Sequence, residues 1–210
     1  MSCQLKYLAV ALVMLAAAAA ARAELVFKAT LTHDQETVQG EFLTSTGAPR
    51  PESFGKATFI LSDDETSLTM SATIFNIDVT GTQTSDTFDN LVAAHIHAGP
   101  TAVLGQNAPV VWGFFGAPDN DNNPDNLVVT PFATEVGGTF TSVWNLDEGN
   151  SGTTLTAQIP NLLAGLSYIN FHTVQFGGGE IRGQLLPEPT ILALMSIALG
   201  VLVLSRRKRS

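Results

Sequence analysis

The sequence predicts an all-β protein, a single antiparallel β-sandwich or Greek-key barrel. Three observations carry that expectation. Apolar residues recur with a period of two through most of the chain. Short polar turns interrupt them at intervals of about a dozen residues. No stretch of the body shows the apolar stripe of an amphipathic helix.

Leu25, Phe27, Ala29 and Leu31 alternate with polar or exposed positions and define a first strand. Ala57, Phe59 and Leu61 define a second, and Leu68, Met70, Ala72 and Ile74 a third. The polar run Ser62-Asp63-Asp64-Glu65-Thr66 between them reads as a hairpin turn. Residues 80–88 are rich in Thr, Gly and Ser and read as a loop leading to Ala93-Ala94-His95-Ile96-His97-Ala98-Gly99-Pro100. Val110-Val111-Trp112-Gly113-Phe114-Phe115 suits a buried strand, and 117–131 a long loop. Further strands are expected at 138–144, 153–159, 167–174 and 180–186, with one helical turn at most at 161–165. No repeat of solenoid length is visible.

The two ends read as targeting segments around one domain. Lys6, an apolar run over 7–21 and the small-x-small Ala21-Arg22-Ala23 have the form of a signal peptide over 1–23. The only cysteine, Cys3, would leave with it, so the mature domain would carry no disulfide and no thiolate chemistry. At the other end Pro187-Glu188-Pro189 precedes an apolar helix over 191–204 and then Arg206-Arg207-Lys208-Arg209. That helix is shorter than the roughly 20 residues of a comfortable span, and the basic cluster favours the cytoplasmic side. This tripartite segment, 187–210, closely resembles the PEP-CTERM sorting signal of Gram-negative bacteria. The resemblance implies an exosortase and the export machinery as partners, transient insertion in the inner membrane, and release to the cell surface or an extracellular matrix.

The domain between, 24–186, is long enough to bury a core. Its only bases are Lys28, Arg50, Lys56 and Arg182 against 18 acids, a net charge of −14. Such a surface argues against nucleic acid as a partner.

Histidine supplies the strongest hint of chemistry. Alternation puts His95 and His97 on one strand face. The same rule sets Tyr168, Asn170 and His172 opposite Ile169 and Phe171, and Glu180, Arg182 and Gln184 opposite Ile181 and Gly183. His95, His97 and His172 are therefore expected together on an outward polar face. Three imidazoles from two strands suit copper or zinc, with water or Glu180 as a fourth ligand. The plainer reading is a set of surface histidines, with Arg182 and Glu180 as an ion pair. His33 reads as a surface turn residue.

Asp119, Asp121 and Asn123 resemble the opening of an EF-hand loop, but Pro124 stands where glycine is required and Thr130 where the bidentate glutamate belongs. A solvated Asx-rich turn is the expectation there. No Gly-x-Ser-x-Gly elbow and no phosphate-cradling loop is present, and nothing recommends an enzyme.

Several segments, in order, resemble the CHRD domain. They are Phe27-Lys28-Ala29-Thr30-Leu31, Gly55-Lys56-Ala57-Thr58-Phe59-Ile60-Leu61-Ser62-Asp63-Asp64, Ala94-His95-Ile96-His97-Ala98-Gly99-Pro100, Tyr168-Ile169-Asn170-Phe171-His172-Thr173 and Gly179-Glu180-Ile181-Arg182-Gly183-Gln184-Leu185. The resemblance implies an immunoglobulin-like or superoxide-dismutase-like sandwich in an exported protein without established enzymatic activity. His33 and the long 117–131 loop depart from the family's usual pattern. The His-x-His strand also looks like the copper-ligand strand of copper/zinc superoxide dismutases, although too few further ligands remain for that full site. Two functions follow. The first is a surface-sorted binding or structural module, with matrix polysaccharide or another surface protein as partner. The alternative is a metal-binding redox or dismutase-like protein using the three histidines.

Overall fold

The alternating segments form strands as their periodicity requires. The computed structural model describes residues 24–122 and 127–188. In β1 (Leu25–Thr32), Phe27, Ala29 and Leu31 are buried while Lys28 and Thr30 are exposed. β2 (Phe54–Leu61) and β3 (Ser67–Phe75) pair antiparallel from Phe54 opposite Phe75 to Leu61 opposite Leu68. At the turn between them Asp64 accepts hydrogen bonds from the hydroxyls of Ser62 and Thr66, at 2.8 and 2.7 Å.

The remaining strands are β4 (Leu91–Ala98), β5 (Val110–Gly116), β6 (Val128–Pro131), β7 (Gly137–Asn145), β8 (Ser167–Thr173), β9 (Ile181–Gln184) and β10 (Leu186–Pro187). They join in one antiparallel sheet of order β5-β4-β8-β9-β1-β2-β3-β7-β6, with β10 added on β1. The sheet is curled. Trp112 of β5 and Trp144 of β7 stand near opposite ends of that order, yet their rings stack 5.6 Å apart and nearly parallel. Phe140 of β7 meets Phe171 of β8 at 5.3 Å in the same core. One face of the curl is thus the apolar interior, and the histidines lie on the other.

Two local expectations are corrected. Residues 153–159 are not a strand, and 161–165 are not an isolated turn: a helix, α1 (Leu155–Leu163), takes in most of both. Leu155, Ile159 and Leu162 bury themselves at helical spacing, and the Thr154 side chain caps the N-terminus by accepting from the Ala157 N–H. Gly165, at φ +67°, then supplies the left-handed turn that ends the helix. The long loop at 117–131 is also shorter than expected, because Val128–Pro131 adds a strand beside β7.

Residues 26–187 form one compact unit; the other, 1–25 with 188–210, is described only at Glu24, Leu25 and Glu188. The expected signal peptide, the 191–204 helix, and Pro189, Arg206 and Arg207 lie outside the described residues, as do Asn123 and Pro124. Of the expected sorting motif, Pro187 pairs with Phe27 across β10 and β1, and Glu188 is exposed. Among the described residues no helix is long and apolar enough to cross a membrane.

Candidate metal centre

Strand register assembles the histidines. β4 and β8 pair so that Ala93 faces His172, His95 faces Asn170 and His97 faces Tyr168. Paired residues share a face, so all three imidazoles project from the same side of two adjacent strands. On its other side β4 meets β5 with two register shifts, one at each histidine, leaving His95 opposite Gly113 and His97 opposite Val110. One nitrogen from each ring then lies within 4.8 Å of the others.

That face is covered, which corrects the expectation of an outward one. His95, His97 and His172 are only 5%, 8% and 8% exposed. The loop expected at 117–131 and the segments around Ala108 and Gly177 fold over them. Gly113 permits one of these covers: a side chain there would collide with the Pro118 carbonyl and crowd the His95 ring. The Gly113 carbonyl also accepts from the N–H groups of Asn120 and Asp121, at 2.8 and 3.2 Å, which holds the loop down.

Each covering loop presents one backbone carbonyl to one imidazole. His97 Nδ1 bonds the Ala108 carbonyl at 2.8 Å, His95 Nε2 bonds that of Ala117 at 3.1 Å, and His172 Nδ1 bonds that of Gly177 at 3.1 Å. A carbonyl only accepts, so each ring must place a proton on that nitrogen. In a neutral imidazole the other nitrogen is then a bare lone pair. Burial drives all three rings towards that neutral form. Desolvation pushes His97 and His172 down to about 4 and also lowers His95; the Ala108, Gly177 and Ala117 hydrogen bonds oppose it only in part.

The three lone pairs converge. His95 Nδ1 and His172 Nε2 stand 3.2 Å apart, and His97 Nε2 is buried without any hydrogen-bond partner. Two nitrogens bound tetrahedrally to one zinc ion at about 2.1 Å stand about 3.4 Å apart, close to the observed separation. Histidines that bind metals usually donate their other ring N–H to a carbonyl or a carboxylate in this way. Tyr168 steadies the trio further. Its ring stacks on His97 at 4.7 Å and 8°, and its hydroxyl accepts the Ala108 N–H at 3.2 Å.

Residues 27–185 match the CHRD domain family. The chain belongs to that family. No curated protein and no solved structure matches it. CHRD domains are generally found in extracellular or secreted proteins, in keeping with the expected export.

Other residues of this CHRD domain depart from expectation. Glu180 offers no fourth ligand and does not pair with Arg182. Its carboxylate is held by Arg50 at 2.7 and 3.0 Å and by the hydroxyls of Ser53 and Thr173. Arg182 lies instead 3.8 Å from Glu36, over the Tyr168 ring at 4.7 Å, and donates to the Gln35 and Gln106 carbonyls. His33 is not a surface residue. It is 4% exposed, packs on Phe42 and Phe176, and has both nitrogens engaged, by the Glu180 carbonyl and the Gly40 N–H. Sequence reading placed Tyr168 on this face without giving it a role, and it missed Glu36. Tyr168 was legible, since it shares the alternation of Asn170 and His172; Glu36 reaches the face from a loop and leaves no periodic trace.

Proposed function

We propose that this CHRD domain is an exported metal-binding module that holds one copper or zinc ion through His95 Nδ1, His97 Nε2 and His172 Nε2. One observation carries the reading. His95 and His172 point bare nitrogens at each other across 3.2 Å, because the Ala117 and Gly177 carbonyls claim their protons. Two lone pairs at that distance repel unless a cation sits between them. A proton would serve, but burial opposes it; a metal ion uses the third lone pair, on His97, as well.

The reading stops at binding. A dinuclear dismutase-like centre would need His33, which is committed elsewhere. Elemental analysis and calorimetric titration of the purified full-length chain test the proposal. One equivalent of copper or zinc is expected, lost in His95→Gln and in His172→Gln. A domain that stays metal-free at micromolar copper and zinc, with melting temperature unchanged by either ion, would overturn it.

The reading also includes surface sorting by the C-terminal segment and a superoxide-dismutase-like or immunoglobulin-like strand arrangement. The first is supported by Pro187-Glu188-Pro189, the apolar run and the terminal arginines. The second is supported by the Trp112–Trp144 stack, which brings distant strands of the curled sheet face to face. Deleting 187–210 should retain the protein at a different site from the full chain; unchanged location after deletion would refute the sorting reading.

A further inference from the structure

The identity of the ion follows from charge. Resting on the three-histidine reading, we infer that the trio is a cuprous site, which takes copper(I) in preference to zinc(II).

All three donors are neutral, since their remaining protons are held by the carbonyls of Ala108, Ala117 and Gly177. The bound ion therefore keeps its full charge. No carboxylate joins the trio among the described residues. Glu180 is neutralised by Arg50, and Glu36 lies against Arg182. The charge nearest along the stack is positive: the Arg182 guanidinium sits over Tyr168, and Tyr168 is stacked on His97. The surroundings are dry, with the three rings at most 8% exposed.

Placing an ion in such a pocket costs a self-energy that scales with the square of its charge, about four times greater for a divalent than for a monovalent ion. Zinc(II) would also need a fourth ligand, water or an anion, to complete a tetrahedron. Copper(I) is satisfied by three donors in a plane and brings half the charge. Imidazole is a borderline donor that serves copper and zinc alike, without the soft sulfur that would itself select copper(I), so charge and ligand count are what decide.

The test is an anaerobic competition on the full-length chain. Bicinchoninate serves as the copper(I) probe and a chromophoric chelator as the zinc probe. One copper(I) per chain is expected, bound more tightly than zinc. Azide should tighten zinc, by supplying the missing anion, and leave copper(I) unchanged. His172→Asp, which adds an anionic donor, should narrow the copper(I)-to-zinc ratio by about tenfold or more; near-ultraviolet dichroism of the stacked tryptophans reports whether that variant is folded. Zinc binding as tight as copper(I) in the unaltered chain would overturn the cuprous assignment while leaving the metal site standing. If neither ion binds, both readings fall.

Discussion

Two arginine–glutamate pairs are buried in this domain, and they are built to opposite standards. Arg50 and Glu180 meet as a two-pronged pair at 2.7 and 3.0 Å, and Ser53 and Thr173 complete the carboxylate. Gln175 accepts from two of the arginine nitrogens and also bonds the Glu41 carbonyl. Arg182 and Glu36 stand 3.8 Å apart, and Glu36 Oε1, Arg182 Nη2 and the neighbouring Asn170 Oδ1 have no hydrogen-bond partner. Burial pushes the Glu36 carboxyl up to about 7, against the pull of Arg182. The first pair ties the 41–53 segment to the sheet. The second belongs to the histidine face, where polar groups are kept dry and incompletely matched. Such a contrast separates fixing a fold from keeping a site.

Among single substitutions, breaking the first pair should have the largest effect. Glu180→Gln leaves Arg50 buried with an incomplete partner and should cost about 3–5 kcal/mol in urea denaturation at pH 7. A loss below about 1 kcal/mol would show that solvent reaches the pair and that the contrast is overstated.

Acid should act next, through the histidines. His97 and His172 hold folded-state pKa values of about 4 against an ordinary value of 6.5. Between those values the unfolded chain binds more protons, so stability rises with pH across the window. The metal-free domain should be at full strength above pH 6.5 and lose on the order of 3 kcal/mol for each of the two rings by pH 4. Saturating metal should move the acid midpoint lower, because the ion competes with protons for the same nitrogens. A midpoint unaffected by any metal would count against the site.

The smallest effect should come from the second pair, with the opposite sign. Glu36 titrates at about 7 when folded against 4.5 when unfolded, so it favours the folded state below that window and opposes it above. Glu36→Gln should therefore leave stability unchanged or raise it by about 1 kcal/mol at pH 8, and lower it slightly at pH 5. A loss at pH 8 comparable to that of Glu180→Gln would erase the distinction between the pairs.

Alternation made much of this fold legible. It located β1, β2, β3 and β7, and it placed His95, His97 and His172 on one face. It could not say what lies above that face. Whether a polar side of a sheet meets water or a loop depends on contacts distant in sequence, such as Ala117 returning to His95 past Gly113. The Arg50–Glu180 pair was illegible for the same reason, since 130 residues separate its members. The missed helix has another cause. Leu155, Ala157 and Ile159 satisfy a period of two as well as Leu155, Ile159 and Leu162 satisfy that of a helix.

The anchoring of the imidazoles has a consequence for how this domain varies and how it can be probed. What orients each ring is a peptide carbonyl, and Ala108, Ala117 and Gly177 contribute no side chain to the task. Their identities are free to drift while the site persists, provided the loop paths survive. An alanine scan would register the three histidines with Gly113 and Tyr168 but none of the three carbonyls that orient the rings, and a comparison of residue identities would do the same. The outer half of the centre is written in chain geometry, where insertions, deletions and prolines are the mutations that count.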